Sequence, residues 1–214
     1  MPQTFSFTVD GPYNKEHNEM FRDARRLKLS ALLFGLIFFG LALGVVYFSN
    51  QASWSYYAAI AFGVIGLISL VLIPVLDKQV GTAQSLYDRY ELVPAMIAQI
   101  NPRDKVILAL VNTSVNPNAK PVWALAARTV TRLEGHSSTV GERVPAVAVS
   151  GRRSVQDQEH WDEISPMPIA WGTPDPDVVR DAINAIDQKR WRRLEQHLNK
   201  VDDVLATKFN LLEL

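Results

Sequence analysis

From Leu29 to Leu76 the chain carries no charged side chain, a stretch of 48 residues that decides where it must reside before any motif is considered. Two apolar runs, Leu29 to Phe48 and Tyr57 to Leu76, flank a polar break of Ser49-Asn50-Gln51-Ala52-Ser53-Trp54-Ser55-Tyr56. Each run is about 20 residues, and at about 1.5 Å rise per residue each matches a hydrocarbon core about 30 Å thick. The break is too polar for lipid and too short to fold. The pattern predicts a transmembrane helical hairpin over 29–76, with spans over 29–48 and 57–76.

Charge at the flanks orients it. Arg22, Arg25, Arg26 and Lys28 crowd the entry to the first span, Lys78 and Arg89 follow the second, and the intervening break has no Lys or Arg. Basic flanks are retained on the cytoplasmic side, so both termini are expected in the cytoplasm of a plasma-membrane protein. Trp54, Tyr56 and Tyr57 at the outer edge suit the interfacial aromatic belt. A cleaved secretory signal fits poorly. The first run is longer than a usual signal core and follows a long segment that contains acidic groups.

The chain has 22 basic and 22 acidic residues, so no global field attracts nucleic acid. It has no cysteine, which excludes disulfides, thiolate chemistry and Cys-ligated zinc. The expected organisation is a strand and a cytoplasmic helix extension over 1–28, the hairpin over 29–76, and a cytoplasmic α+β domain over 77–214. The last is long enough to bury a core.

Phe5, Phe7 and Val9 alternate with Ser6 and Thr8, which predicts a short strand ended by Asp10-Gly11-Pro12 and paired with the C-terminal domain. Met20, Ala24 and Leu27 make a helical stripe leading into the first span. Pro74 is expected to mark the exit of the second span, and a short helix is expected between Gly81 and Tyr90. Strand signals follow at 93–98, 106–111, 122–133 and 144–150, separated by breakers such as Asn101-Pro102-Arg103-Asp104. The short spacings leave no room for crossover helices, so an antiparallel β meander or a small barrel is expected. Pro94 and Pro145 belong at strand starts or edges. The run from Ile164 to Trp171 reads as extended but irregular. Thr173 or Asp175 caps the helix that follows, and the apolar stripe rotates between Ile186 and Trp191, which predicts a kink or break near 187–190.

Chemistry-bearing motifs are sparse. Gly135-His136-Ser137 resembles the start of a hydrolase nucleophile elbow, but Thr139 stands where the closing Gly is needed and no helix follows, so a polar hairpin loop explains it better. Glu159-His160-Trp161-Asp162-Glu163 offers acid, base and metal-ligand types, yet adjacent residues point apart and no second ligand pair is recognisable. Phosphate-binding glycine loops do not occur. No catalytic residue, metal or cofactor is therefore assigned.

The strongest basic concentration is Lys189-Arg190-Trp191-Arg192-Arg193, with Arg152 and Arg153. Arg190, Trp191, Arg192 and Arg193 are candidate contacts to acidic lipid or a protein partner, with Trp191 dipping into the interface. The alternative is a salt-bridged helix face with Trp191 in the core. Within the spans, Gly40 and Gly44 form a GxxxG, and Ala59 with Gly63 offers a matching small-residue face. This pairing either closes the hairpin or makes a homodimer.

The opening Phe-Ser-Phe-Thr-Val-Asp, the segment Tyr13-Asn14-Lys15-Glu16-His17-Asn18-Glu19, the Arg25-Arg26-Leu27 before two spans, and Pro168-Ile169-Ala170-Trp171-Gly172-Thr173 together resemble an uncharacterised actinobacterial, corynebacterial-type family of two-span membrane proteins. That resemblance transfers no activity and no catalytic residue. It implies an envelope context in which an accessory to lipid export or assembly is plausible. The expected role is a membrane-anchored, non-enzymatic interaction module whose partners are the bilayer and a membrane or envelope protein. The alternative is a lipid-binding domain or lipid-directed enzyme at the inner leaflet, with a pocket around Pro166 to Trp171.

Overall fold

The 30-residue helix α2 (Glu19–Phe48) and the 28-residue helix α3 (Ser53–Val80) realise the charge-free stretch. They follow the short helix α1 (Gly11–His17). The computed structural model describes residues 4–50, 52–116 and 118–214, with the side chains of 76–80 set aside. The chain forms two compact units: Met20–Gly81 is one, and the arm through Glu19 joins Thr82–Leu214 in the other.

In the hairpin unit the two helices are long and apolar enough to cross a membrane. Their apolar side chains point outward, with Leu43 76% exposed and Phe48 84% exposed. A surface of that kind is stable against lipid and not against water. The helices approach closely at Gly35 and Gly66: a Cβ at Gly66 would lie 3.1 Å from the Gly35 carbonyl oxygen and 3.2 Å from the Phe39 ring. Phe38 packs edge-on against Phe62, with centroids 5.8 Å apart. Asn50 takes φ 49° in the break, a left-handed position that Asn tolerates better than branched residues. Pro74 lies inside α3 rather than at its exit. In an apolar span, neighbouring groups and local adjustment offset the lost backbone hydrogen bond.

The other unit is α+β. After α4 (Ala83–Arg89) come β1 (Leu92–Val93), β2 (Ala95–Ile100), β3 (Lys105–Asn112), β4 (Trp123–Val130), β5 (Ala146–Ser150) and β6 (Ile164–Pro168). A 3-10 turn over Ile169–Trp171 leads to α5 (Pro176–Ala185), α6 (Gln188–Glu195), α7 (Val201–Leu205) and β7 (Leu211–Glu213). The strands form two open antiparallel sheets, ordered β1-β5-β6 and β2-β3-β4-β7. The meander expectation holds, and no closed barrel forms among the described residues.

Pro94 explains the division. Val93 pairs with Ala146 in one sheet and Ala95 with Ala109 in the other, so the residue without an N–H hands the chain between sheets. Pro166 and Pro168 are accommodated because β6 is an edge strand. Small inward residues, Ala95, Ala109, Ala124, Ala126 and Ala146, form one buried cluster with Val93, Val111 and Ile164. The opposite parity, Leu108, Leu110 and Leu125, is buried as well, and α6 and α7 pack against these strands. The C-terminal strand β7, unanticipated from sequence, covers the β4 edge by pairing Leu212 with Leu125.

Local chemistry sets the helix ends. Thr82 and Ser85 form a capping box on α4. Asp175 caps α5, accepting from the Asp177 amide at 2.9 Å, with Pro176 in the first turn. Asp187 caps α6 by accepting from the Lys189 amide at 2.8 Å, and this places the expected break between two helices.

The N-terminal arm differs from its expectation. Phe5, Phe7 and Val9 do alternate in burial with their neighbours, but they form no strand ladder. The Gln84 carboxamide takes the place of a partner strand. It accepts from the Val9 amide at 2.9 Å and donates to the Phe7 carbonyl at 2.8 Å. Phe7 packs on Tyr87 with centroids 4.9 Å apart, directly over Gly172, where a Cβ would come within 2.8 Å of both rings.

Candidate functional site

Two features stand out in the folded unit, a polar latch on the arm and a cleft beside it. The latch is made of Asn14, Asn18 and Glu19, all buried. The Asn18 carboxamide donates to Asn14 Oδ1 at 2.9 Å and reaches Met167 Sδ at 3.5 Å. The Glu19 carboxylate accepts from the amides of Thr131 at 2.8 Å and Arg132 at 3.1 Å, and from the Thr131 hydroxyl. Buried carboxylates need such donors, and charge-assisted bonds of this kind are stronger than neutral ones. Glu19 is also the first residue of α2, so the helix that becomes the first span begins at a carboxylate gripped by the domain.

The cleft has a volume of about 630 Å³, within the usual range for small-ligand sites. Tyr13 of the arm, the loop from Glu134 to Arg143, and Val179, Arg180 and Ile183 of α5 line it. The loop turns at three left-handed positions, Gly135 (φ 78°), Ser138 (φ 63°) and Gly141 (φ 87°). Glu142 organises it. One carboxylate oxygen lies 3.0 Å from His136 Nδ1 and 2.8 Å from the Ser137 amide, and the other accepts from the Ser137 hydroxyl at 2.7 Å. Burial alone would raise the Glu142 carboxyl. The bonds from the Ser137 hydroxyl and amide, from His136 and from Thr139 outweigh it and hold the group below the ordinary carboxylate range.

An ionised Glu142 only accepts, so His136 Nδ1 carries a proton. The His136 side chain is 5% exposed, and Nε2 has no hydrogen-bond partner. Ser137 is bonded to Glu142 and Thr139 and is not the partner of this imidazole, which agrees with the loop reading of the Gly-His-Ser segment.

The residues singled out by sequence fall elsewhere. Trp191 is fully buried, its indole N–H donating to the Ile183 carbonyl at 3.3 Å, so it occupies the core alternative left open by the sequence. Arg190 pairs with Glu91 at 2.9 Å and lies over the Trp123 ring, which Arg193 also covers, at 5.3 and 5.4 Å respectively. Arg192 remains exposed. Gly40, Gly44 and Gly63 have nothing within 4 Å of an added Cβ, and Ala59 is half-buried, so the hairpin closes through Gly35 and Gly66 instead. Of the run from Pro166 to Trp171, Ala170 reaches the cleft, whereas Met167, Ile169 and Trp171 are core. His160 pairs with Asp157 at 2.9 Å on the surface, and no group of three metal-ligating side chains occurs among the described residues.

Arm, hairpin and sheets define a class: an α+β domain that carries an apolar two-helix hairpin inserted between its N-terminal arm and its body. The chain belongs to the DUF3239 family of proteins of unknown function, which matches residues 78–202. It is similar to a solved structure, "Crystal structure of a putative membrane protein from Corynebacterium diphtheriae", with 56% identity and a TM-score of 0.55, covering 58% of this chain and 100% of that chain. The corynebacterial resemblance read from the residues is upheld. No curated protein matches the chain.

Proposed function

We propose that the protein is a membrane-anchored, non-enzymatic interaction module at the inner leaflet, an accessory to lipid export or assembly in the envelope. The latch carries this reading. A domain that holds Glu19 and continues from Thr82 is connected in sequence to both ends of the hairpin, an arrangement suited to keeping its surface at the membrane. The basic flank at Arg22, Arg25, Arg26 and Lys28 supports the inner side. Arg192 and Arg193 are the charge that α6 offers to acidic lipid or a partner. The open face of Gly40, Gly44 and Gly63 suits a second copy of the hairpin.

The cleft favours a second reading, a domain that binds a lipid or a lipid-derived molecule, because its volume of about 630 Å³ and the apolar side chains of Val179 and Ile183 suit a small amphipathic ligand. Native mass spectrometry of the full chain, extracted from membranes in mild detergent, separates the two. A second polypeptide at fixed stoichiometry is expected for the interaction module. A retained lipid without a protein partner moves the assignment to the second reading, and a chain carrying neither contradicts both.

A further inference from the structure

We propose that one end of the four-stranded sheet, where Arg103, Lys105 and Arg132 stand beside the exposed side chains of Ile100 and Val140, lies in the headgroup layer of the membrane and binds anionic phospholipid there. The proposal rests on the membrane-anchored reading, and on neither the side of the membrane nor a protein partner. Register shows which residues share this end. Lys105 pairs with Ile100 on β2 and with Val130 on β4, and Arg103 and Arg132 each lie two residues outward of the Lys105 and Val130 pair. The loop that carries Val140 is fastened here too: Lys105 Nζ donates to Ser138 Oγ, and the Gly141 amide donates to the Ile97 carbonyl at 2.8 Å. Glu19 meets the same end through the amides of Thr131 and Arg132.

Chain length keeps this end close to lipid. Glu19 stands ten residues ahead of Leu29, where the charge-free stretch begins, and the whole interval is helical. At about 1.5 Å per residue that is at most about 15 Å, of which the headgroup layer takes about 5–7 Å, and a tilted helix or an extended arginine spans the rest. Charge then selects the ligand. Elsewhere in the folded unit arginines are engaged by protein groups: Arg180 pairs with Asp177, Arg190 with Glu91, and Arg143, Arg152 and Arg153 lie over aromatic rings. Arg103 and Arg132 are exposed and, among the described residues, have no ion pair and no ring contact. The carboxylates at this end are occupied by protein donors, Asp104 by the Asn101 carboxamide at 2.7 Å and Glu142 by the Ser137 hydroxyl at 2.7 Å, with Glu134 the exposed exception. Ile100 is 45% and Val140 60% exposed. Cations with bare aliphatic side chains on one rim suit a bilayer interface, the charges meeting phosphate and the aliphatics the acyl boundary.

The opposite end of the sheet supplies the control. β3 runs from Lys105 to Asn112, about 23 Å, and beyond it Ser114 bridges His160 in the loop that carries Val155. Full-length Val140→Cys, Val155→Cys and Leu43→Cys, each labelled with a fluorophore on its single thiol, are placed in phosphatidylcholine nanodiscs with and without phosphatidylglycerol, and nitroxide lipids labelled in the headgroup or the acyl chain serve as quenchers. The headgroup nitroxide is expected to quench the Val140 label at least about twofold more than the Val155 label, and phosphatidylglycerol to deepen the Val140 quenching. Arg103→Gln combined with Arg132→Gln changes exposed side chains and keeps the backbone bonds of Arg132 to Glu19 and Trp171. It should remove at least about half of the phosphatidylglycerol gain, as should raised salt. Equal quenching of the Val140 and Val155 labels overturns the proposal, as does a Val140 signal indifferent to phosphatidylglycerol or to the double substitution. The Leu43 label, on a hairpin side chain 76% exposed, tests the anchor separately. If the acyl-chain nitroxide quenches it while the Val140 label escapes the headgroup nitroxide, the anchor stands and the docking of the sheet end fails; if the Leu43 label escapes as well, the membrane-anchored reading falls too.

Discussion

Glu142 shows how one side chain sets the behaviour of a loop. Its folded pKa is depressed, so the stability it contributes is fully present above the ordinary glutamate value of about 4.3 and is lost as the pH falls through the lower folded value. Glu142→Gln should therefore flatten the acid limb of the stability profile below about pH 4.3, measured by urea unfolding across pH, and leave the neutral limb shaped as before. Trp191 and Arg192 make a second contrast, adjacent in sequence and opposite in consequence. Trp191→Ala should cost about 3–5 kcal/mol, as truncation of a buried aromatic does, while Arg192→Gln should stay within about 0.5 kcal/mol. Denaturant midpoints of the two variants measure both. The sequence alone left Trp191 between membrane and core, since a helical stripe does not reveal which surface it meets.

Elements with a strong period or a strong charge signal were legible in the sequence. The hairpin follows from the missing charges, the strands from their apolar runs between breakers, and the gap between α5 and α6 from the five-residue step in the stripe. The arm was half legible. Its alternation of half-buried Phe5, Phe7 and Val9 is present, but the missing ladder depends on Gln84, far along the chain. β7 has only three residues and exists because the β4 edge is there to receive it. The cleft was not legible, because Glu142 meets His136 across an irregular loop and no periodicity announces such a pair. The latch belongs to this scale too. Glu19→Gln should destabilise the arm by about 1–3 kcal/mol, because the amides of Thr131 and Arg132 lose the charged acceptor that the buried Glu19 supplies. Hydrogen exchange should then accelerate at those two amides and leave β3 protected.

For the whole molecule the governing physics is the partition between lipid and water. An apolar hairpin with its side chains turned outward enters the bilayer, and the arm and body fold together into one unit joined to both of its ends. In the topology proposed above, two spans put that unit on a single side, the cytoplasmic one on the strength of the arginines before the first span. The chain has no cysteine, so one engineered thiol reports sidedness without background. Val155, 90% exposed and outside every helix and strand, is the position of choice. The most direct measurement is labelling of Val155→Cys with a membrane-impermeant maleimide in intact and in permeabilised cells. The expected result is labelling only after permeabilisation; labelling in intact cells would place the domain outside and remove the basis for an inner-leaflet role.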